Sequence, residues 1–181
     1  QTSRERLKTL LQTVALKRGH FILASGAESD YYLDVRLVSM HPEGALRIAE
    51  AFLEILSRDE VAAVGGPVLG AAPLVGALAA ESFRAGRPLT TFLVRKEAKG
   101  HGTGKQIEGN FPADGAPVAL VEDVVTAGGS VLKAIEAVRA AGSPVTHVLA
   151  VVDRGAGGRQ ALEAAGVRFT ALFEVAELLA E

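Results

Sequence analysis

Two neighbouring carboxylates stand directly after an apolar run and before a series of small and hydroxyl-bearing residues. Residues 118–131 read VALVEDVVTAGGSV, in which Glu122 and Asp123 precede Thr126 and Ser130. Small residues let a backbone approach a phosphate closely, and the N–H groups at a helix N-terminus bind anions. Carboxylates suit sugar hydroxyls, a divalent cation or developing positive charge. The segment therefore predicts a phosphorylated-sugar site; the alternative is an ordinary strand-to-helix turn capped by Ser130.

A second segment concentrates positive charge. Residues 95–109 read RKEAKGHGTGKQIEG, with a histidine and four cations in a glycine-rich stretch: Arg95, Lys96, Lys99, His101 and Lys105. Such a loop suits a polyanion that is engaged and then released. A solvated charged loop is the alternative. A nucleotide-binding P-loop is excluded, because GHGTGK at residues 100–105 is one residue short and Gln106 follows it.

Two further segments follow apolar runs. Arg154 comes after residues 145–152, and a guanidinium there could hold a carboxylate through two parallel hydrogen bonds. A salt bridge with Asp153 or with another surface acid is the alternative. Residues 64–70, VGGPVLG, could form a ligand loop, or a tight turn needed for packing a helix against a strand.

The elements that must position these residues follow from periodicity. Apolar runs at residues 61–64, 90–94, 118–121, 145–152 and 167–173 alternate with helices predicted to about residue 85, over 130–141 and over 158–165. Alternation of this kind predicts a mainly parallel sheet with helices on both faces. Ligands bind beyond the carboxyl ends of such strands. The loops after residues 64, 95, 121 and 152 are therefore expected to face one site.

The N-terminal part has a different pattern. Thr2 and Glu5 form a capping-box pattern, which predicts a first helix that ends near Gly19. Residues 21–36 predict two short strands around a turn at residues 25–26. Pro42 suits the first turn of a second helix, whose predicted buried stripe is Leu46, Ala49, Phe52, Leu53 and Leu56.

Composition limits the class of protein. With 181 residues, 49% hydrophobic and 22% charged, the chain can form one compact domain with a real core. A net charge of −2 gives a nucleic-acid binder no support, and the lack of cysteine excludes disulfides and thiolate metal sites. Residues 61–80 are long enough to cross a bilayer, but their glycines and prolines favour a strand, a loop and a buried helix. No secretory signal is visible, so we expect a cytoplasmic protein.

The motifs resemble one known family. Residues 118–131 resemble the phosphoribosyl-pyrophosphate (PRPP) motif of the type I phosphoribosyltransferases. The arrangement R-K-E-x-K-x-H-G at residues 95–102 resembles the catalytic loop of the orotate phosphoribosyltransferases, and residues 21–36 resemble their N-terminal hood. The resemblance covers essentially the whole chain. Several members have a lysine that contacts PRPP where this chain has Ala24, so that contact is expected to be missing or supplied by another residue.

The resemblance implies a fold and an activity. The fold is α/β, with a mainly parallel central sheet flanked by helices, in a single domain over residues 1–181. Residues 1–36 contribute to a small N-terminal hood over the base site. The implied reaction transfers the 5-phosphoribosyl group from PRPP to orotate, and gives orotidine 5′-monophosphate and pyrophosphate. Mg²⁺ is expected to bind through PRPP rather than at a protein metal site. A homodimer is implied, with the 95–101 loop acting in trans, and neither nucleic acid nor membrane is an expected partner.

The resemblance also implies roles for individual residues. The catalytic residues are Lys99, His101, Glu122 and Asp123, and Thr126 and Arg154 bind orotate. The residues that bind PRPP are Arg95, Lys96, Lys99, His101, Glu122, Asp123, Val124, Val125, Thr126, Ala127, Gly128, Gly129 and Ser130. A phosphoribosyltransferase for a purine or uracil would lack the loop and the hood. A nucleic-acid-binding regulator on the same fold would need a basic face.

Overall fold

The computed structural model describes residues 1–23, 25–97, 105–112 and 114–180. Its main feature is a six-stranded sheet in the order β5-β4-β3-β6-β7-β8. The strands are β3 (Ala63–Pro67), β4 (Thr90–Val94), β5 (Ile107–Gly109), β6 (Val118–Val125), β7 (Val145–Asp153) and β8 (Arg168–Glu174). All neighbours are parallel except β5, which runs antiparallel to β4. The predicted mainly parallel sheet is confirmed.

Helices cover both faces of this sheet, as predicted. They are α1 (Ser3–Leu10), α2 (Arg36–Ser39), α3 (Pro42–Leu56), α4 (Ala71–Arg84), α5 (Gly129–Ala140), α6 (Gly158–Ala164) and α7 (Val175–Leu179). Side chains of β6 alternate between two cores. Ala119 and Val121 join the core that contains α1, α3 and α4, whereas Leu120 joins the core that contains α5 and α6. The strand that carries the paired acids is therefore fixed from both sides.

The N-terminal segment forms an antiparallel hairpin of β1 (Leu16–Ile22) and β2 (Glu28–Leu33), which confirms the two predicted strands. The predicted end of the first helix near Gly19 is wrong. Helix α1 ends at Leu10, a π-helical turn spans Leu11–Ala15, and β1 begins at once. Most of β1 is exposed, so it offers no apolar helical stripe to bury. Ala24 lies outside the described residues.

Gly65 and Gly66 belong to strand β3, and the predicted turn begins only after Pro67, over residues 68–70. A Cβ atom on Gly65 would overlap the ring of Phe92 on β4, and one on Gly66 would overlap the carbonyl oxygen of Val121 on β6. Glycine is thus required for close packing. Strand β6 likewise continues through Glu122 and Asp123 to Val125. The site loops therefore begin after residues 67, 94, 125 and 153, later in most cases than the sequence predicted.

The remaining helices match the predictions with local differences. Pro42 occupies the first turn of α3, and the His41 side chain accepts a hydrogen bond from the N–H of Gly44. The prediction for Leu46 is wrong, since this residue is 42% exposed and Ile48 is buried instead. The sequence analysis did not predict α2, β5 or α7. Across the described ranges, none of the helices has the length and apolar character needed to cross a bilayer.

Candidate active site

The two acids lie at the carboxyl edge of the sheet, against the start of α4. Strands β3 and β6 are parallel neighbours, so the turn that leads from β3 into α4 meets the end of β6. A Cβ atom on Gly70 would overlap Asp123 Oδ1 and would lie 2.7 Å from Glu122 Oε1. Both carboxylates therefore converge on a backbone position that has room for glycine alone. Gly70 leaves them close to the backbone at the beginning of the helix.

Glu122 is buried, and no cation among the described residues pairs with its carboxyl group. The residue is 6% exposed, and burial together with the charge of Asp123 raises the pKa of its carboxyl group to about 9. Its Oε1 accepts the N–H of Asp123 at 3.2 Å, while Asp123 Oδ1 accepts the N–H of Val124 at 2.7 Å. Glu122 is thus protonated near neutral pH. A protonated carboxyl group can donate one hydrogen bond as well as accept others.

Beside the acids, the turn into α5 forms an anion cradle. A cavity of about 160 Å³ is lined by Glu122 and residues 124–131. Gly128 caps α5 with φ = +85°, a conformation that favours glycine. A Cβ atom on Gly129 would meet nothing within 4 Å, so the space in front of the helix is open. The first N–H groups of a helix have no partner within it and are available to an anion.

The cradle is held in place from α6. The N–H of Gly158 donates to the carbonyl oxygen of Thr126 at 3.0 Å. A Cβ atom on Gly158 would overlap Val125 Cγ1 and would lie 2.7 Å from the Thr126 carbonyl oxygen. Gly158 therefore fixes the backbone of Thr126 through a contact that only glycine permits. Sequence reasoning placed Gly158 at a helix start and missed this role.

The beginning of the basic segment lies next to the cradle. Arg95 and Lys96 line a cavity of about 440 Å³ together with Gly129, Ser130 and Lys133. Lys133 is a cation on α5 that sequence reasoning missed.

Hydrogen bonds join the two ends of the basic loop. The N–H of Arg95 donates to the carbonyl oxygen of Gln106 at 2.8 Å, and Gln106 Nε2 donates to that of Arg95 at 3.0 Å. Lys99 and His101 lie outside the described residues, and Lys105 lines a different cavity.

Arg154 lies directly after β7 and contacts the hairpin. Its Nε donates to Tyr31 Oη at 3.0 Å, and its guanidinium carbon is 4.9 Å from the centroid of the Tyr31 ring. The alternative salt bridge with Asp153 is not formed. Asp153 instead accepts the N–H of Gly155 at 2.9 Å and lies 3.4 Å from Arg159. Because Asp153 is the register partner of Val125, Arg154 and Thr126 follow adjacent strand ends.

Comparisons with known proteins identify the family of this chain. The family model described as "Phosphoribosyl transferase domain" matches residues 38–168. The orotate phosphoribosyltransferase of Nostoc sp. is 44% identical over 177 residues, which cover 98% of this chain and 85% of that protein. The chain belongs to the orotate phosphoribosyltransferase family.

Solved structures of this family have the same fold. The orotate phosphoribosyltransferase of Mycobacterium tuberculosis H37Rv in complex with Fe(III) dicitrate matches with a TM-score of 0.87 and 37% identity, covering 98% of this chain and 99% of that one. The complex of the M. tuberculosis enzyme with PRPP matches with a TM-score of 0.83 and 33% identity, covering 99% and 100%.

The structure brings most of the predicted site residues to one edge of the sheet. The last residues of β6 include Glu122 and Asp123, and the cradle continues from them to residue 130. The cations follow the carboxyl ends of neighbouring strands: Arg95 and Lys96 come after β4, and Arg154 comes after β7. Sequence reasoning missed Tyr31 as a partner of Arg154. A larger cavity, about 530 Å³, lies at the amino ends of β3 and β4, and no predicted site residue lines it.

One further cation lies near the acids. Hydrogen bonds and charge from Asp34 raise the pKa of the Arg36 guanidinium, with a smaller contribution from the charge of Asp123. Arg36 Nε donates to Asp34 Oδ1 at 3.0 Å. The motif analysis did not single out Arg36, since nothing in its spacing relates it to residue 123.

Proposed function

We propose that this chain transfers the 5-phosphoribosyl group of PRPP to orotate, with orotidine 5′-monophosphate and pyrophosphate as products. The observation that carries the proposal is the β6–α5 segment, which places two convergent carboxylates beside an anion cradle. A phosphorylated sugar is the ligand that needs both. Membership of the orotate phosphoribosyltransferase family and the likeness to a family member in complex with PRPP support the choice of substrates.

The roles of the residues follow from charge. The cradle at residues 126–130 holds the 5′-phosphate and so fixes the position of the ribose. Asp123 accepts hydrogen bonds from the ribose hydroxyls, and protonated Glu122 can both donate and accept there. As the C1–O bond to pyrophosphate breaks, its electron pair leaves with the pyrophosphate and positive charge develops on the ribose. The nitrogen of orotate then forms the new bond to C1, and the proton that this nitrogen carried passes to the departing pyrophosphate or to solvent.

Cations stabilise the departing pyrophosphate. Arg95 and Lys96 line the cavity beside the cradle, and we assign the same role to Lys99 and His101 of the loop. A loop that closes over the site would also exclude water, whose attack on C1 would hydrolyse PRPP. None of these roles requires a covalent bond between the ribose and the protein.

We place Mg²⁺ on the oxygens of PRPP. Among the residues that the structure describes, no group of three or more histidine and carboxylate side chains could hold a metal ion alone. The donors at this edge are carboxylate oxygens, which suit an ion that keeps waters and phosphate oxygens as ligands. Residues 122 and 123 would hold the ribose that carries it. When bound, Mg²⁺ supplies positive charge that stabilises the leaving pyrophosphate.

An assay of orotate consumption tests the proposed function. Orotate absorbance should fall when PRPP and Mg²⁺ are both present, and should stay constant when either is omitted. Uracil and the purine bases should react much more slowly. Preferential consumption of one of these other bases would contradict the choice of orotate, while leaving the use of PRPP intact.

We further propose a homodimer in which the 95–101 loop acts on the site of the partner subunit. Lys99→Ala and Asp123→Ala should then each give an almost inactive homodimer. In a mixed dimer one site carries both changes and the other carries neither. Mixing the variants under subunit exchange should therefore restore about a quarter of wild-type activity. No recovery despite demonstrated exchange would contradict the action in trans. A cytoplasmic location stays a prediction.

A further inference from the structure

We propose that Tyr31 is a positioning residue that orients Arg154 toward the carboxylate of the substrate. The proposal rests on the proposed function, in which Arg154 binds orotate. It assigns to the hairpin of β1 and β2 a specific part in selecting a carboxylate-bearing base. The role is indirect, since Tyr31 acts through the guanidinium rather than on the reacting atoms.

The geometry fixes one edge of the guanidinium and leaves the other available. Arg154 donates its Nε–H to Tyr31 Oη at 3.0 Å, and its guanidinium carbon lies 4.9 Å from the centroid of the same ring. Within the described part of the chain, the Nη groups of Arg154 form no hydrogen bond or ion pair. These two groups carry four N–H donors in one plane, an arrangement that can hold a carboxylate through parallel bonds.

The residues that the structure describes supply no counter-charge to Arg154. Asp153 is the adjacent acid, but it accepts the N–H of Gly155 and lies 3.4 Å from Arg159. Glu174, the register partner of Asp153 on β8, is bound by Arg159 at 2.8 Å. Arg159 thus engages both acids. A partly buried guanidinium without a protein carboxylate among the described residues is suited to an anionic ligand.

Tyr31 is itself held firmly enough to orient another side chain. Its ring packs against the core that contains α1, α3 and α4. Ser29 Oγ donates to the carbonyl oxygen of Tyr31 at 2.7 Å, and Tyr31 pairs with Arg18 across the hairpin. The contact with Arg154 joins positions 123 residues apart. The position of the hood and the orientation of the orotate-binding side chain are therefore coupled.

The proposal predicts a selective effect of one hydroxyl group. Tyr31→Phe retains the ring beneath the guanidinium but removes the acceptor for Nε–H. The KM for orotate should rise about three- to tenfold, the range expected for one hydrogen bond. The kcat and the KM for PRPP should stay within about twofold, and the melting temperature should change little. A tyrosine with only a packing role would alter the melting temperature without this separation of kinetic constants.

A double-mutant cycle separates action through Arg154 from direct action on orotate. Arg154→Ala should raise the KM for orotate far more than the KM for PRPP. Adding Tyr31→Phe to Arg154→Ala should produce no further change. A full three- to tenfold rise in the Arg154→Ala background would overturn the proposal, because Tyr31 would then act without Arg154.

Ser57→Ala provides the control. It removes a hydroxyl that donates one hydrogen bond, to the carbonyl oxygen of Glu54 at 2.7 Å, just after α3 and away from the site. Its KM for orotate should equal that of the wild type; an equal rise would overturn the proposal. If wild-type protein consumes no orotate, the proposed function fails. If wild-type protein consumes orotate and Tyr31→Phe has the same KM for orotate as the wild type, only the positioning role fails.

Discussion

Two buried carboxylates lie at opposite edges of the same sheet and are stabilised in opposite ways. At the amino edge, the Asp59 side chain is 3% exposed and is bound by His147 Nδ1 at 2.6 Å and by Arg168. Burial alone would raise the pKa of Asp59, but the hydrogen bonds from His147 and Arg168 hold it below its ordinary value. At the carboxyl edge, no cation among the described residues pairs with Glu122, and burial together with the charge of Asp123 raises its pKa to about 9.

The difference separates groups that serve stability from groups that serve a ligand. His147 Nε2 also lies 2.8 Å from Thr170 Oγ1, so the Asp59 network joins the segment before β3 to β7 and β8. Its carboxylate is paired within the protein, with His147 and Arg168. The carboxyl edge instead contains two adjacent acids, an open helix start and an arginine without a carboxylate partner among the described residues. We propose that these groups acquire their partners when PRPP and orotate bind.

The largest effect on stability is expected at the amino edge. Asp59→Ala leaves the buried His147 without its hydrogen-bond acceptor and removes the partner of the largely exposed Arg168, losses that together cost about 2–4 kcal/mol. The free energy of unfolding from urea titration should fall by that amount, whereas kcat/KM of the folded fraction should be unchanged. Glu60→Ala, at the exposed neighbouring residue, is the control and should change stability by less than about 0.5 kcal/mol. A loss of kcat/KM without a loss of stability would contradict the assignment of Asp59 to stability rather than to ligand binding.

The next effect is expected at the cradle and concerns function rather than stability. Gly129→Val places a branched side chain in the open space where the 5′-phosphate is proposed to lie. Affinity for PRPP should fall about a hundredfold, equivalent to ~2.7 kcal/mol, with the fold retained. Calorimetric titration of PRPP measures this. The informative site is Gly129 rather than Gly128, whose φ of +85° would strain any other residue.

Gly76→Val is the matched control for this substitution. Gly76 lies in α4, and a Cβ atom there also meets nothing within 4 Å. The control should bind PRPP as tightly as the wild type. Unchanged affinity in Gly129→Val would show that the β6–α5 turn is a structural turn without a phosphate.

Much of the fold could be predicted because long apolar runs coincide with strands buried on both faces. Residues 90–94 form β4 as predicted, and the glycine-containing turn into α5 lies where the motif placed it. The failures arise where tertiary contacts override local pattern. Gly65 and Gly66 are typical of a turn, but they lie in β3 because neighbouring strands leave no room for a side chain. The three residues of β5 are too few to show a period.

The sequence predicted which chemical groups form the candidate site, but it predicted only some of the contacts that these groups make. The order of acids, small residues and hydroxyls in residues 118–131 is local, so one stretch of sequence contains the cradle. The contact of Tyr31 with Arg154 and the overlap that Gly70 avoids with Asp123 depend on how distant segments meet. The raised pKa of Glu122 likewise depends on its burial near the end of strand β6, which residue spacing does not determine.

We infer that the protein retains Glu122 for its ligand at the expense of its own stability. Its pKa is about 9 in the folded protein against an ordinary 4.5, so between these values folding requires uptake of a proton. The stability of the wild type should therefore fall as pH rises from 4.5 to 9. Glu122→Gln has no group to protonate and should escape this loss.

The most direct test measures the free energy of unfolding of the wild type and of Glu122→Gln by denaturant titration at pH 5 and pH 8. At pH 8 the variant should be more stable by about 1–3 kcal/mol, with little difference at pH 5 and a large loss of activity at both. A variant that is less stable than the wild type at pH 8, or whose advantage does not depend on pH, would contradict the account.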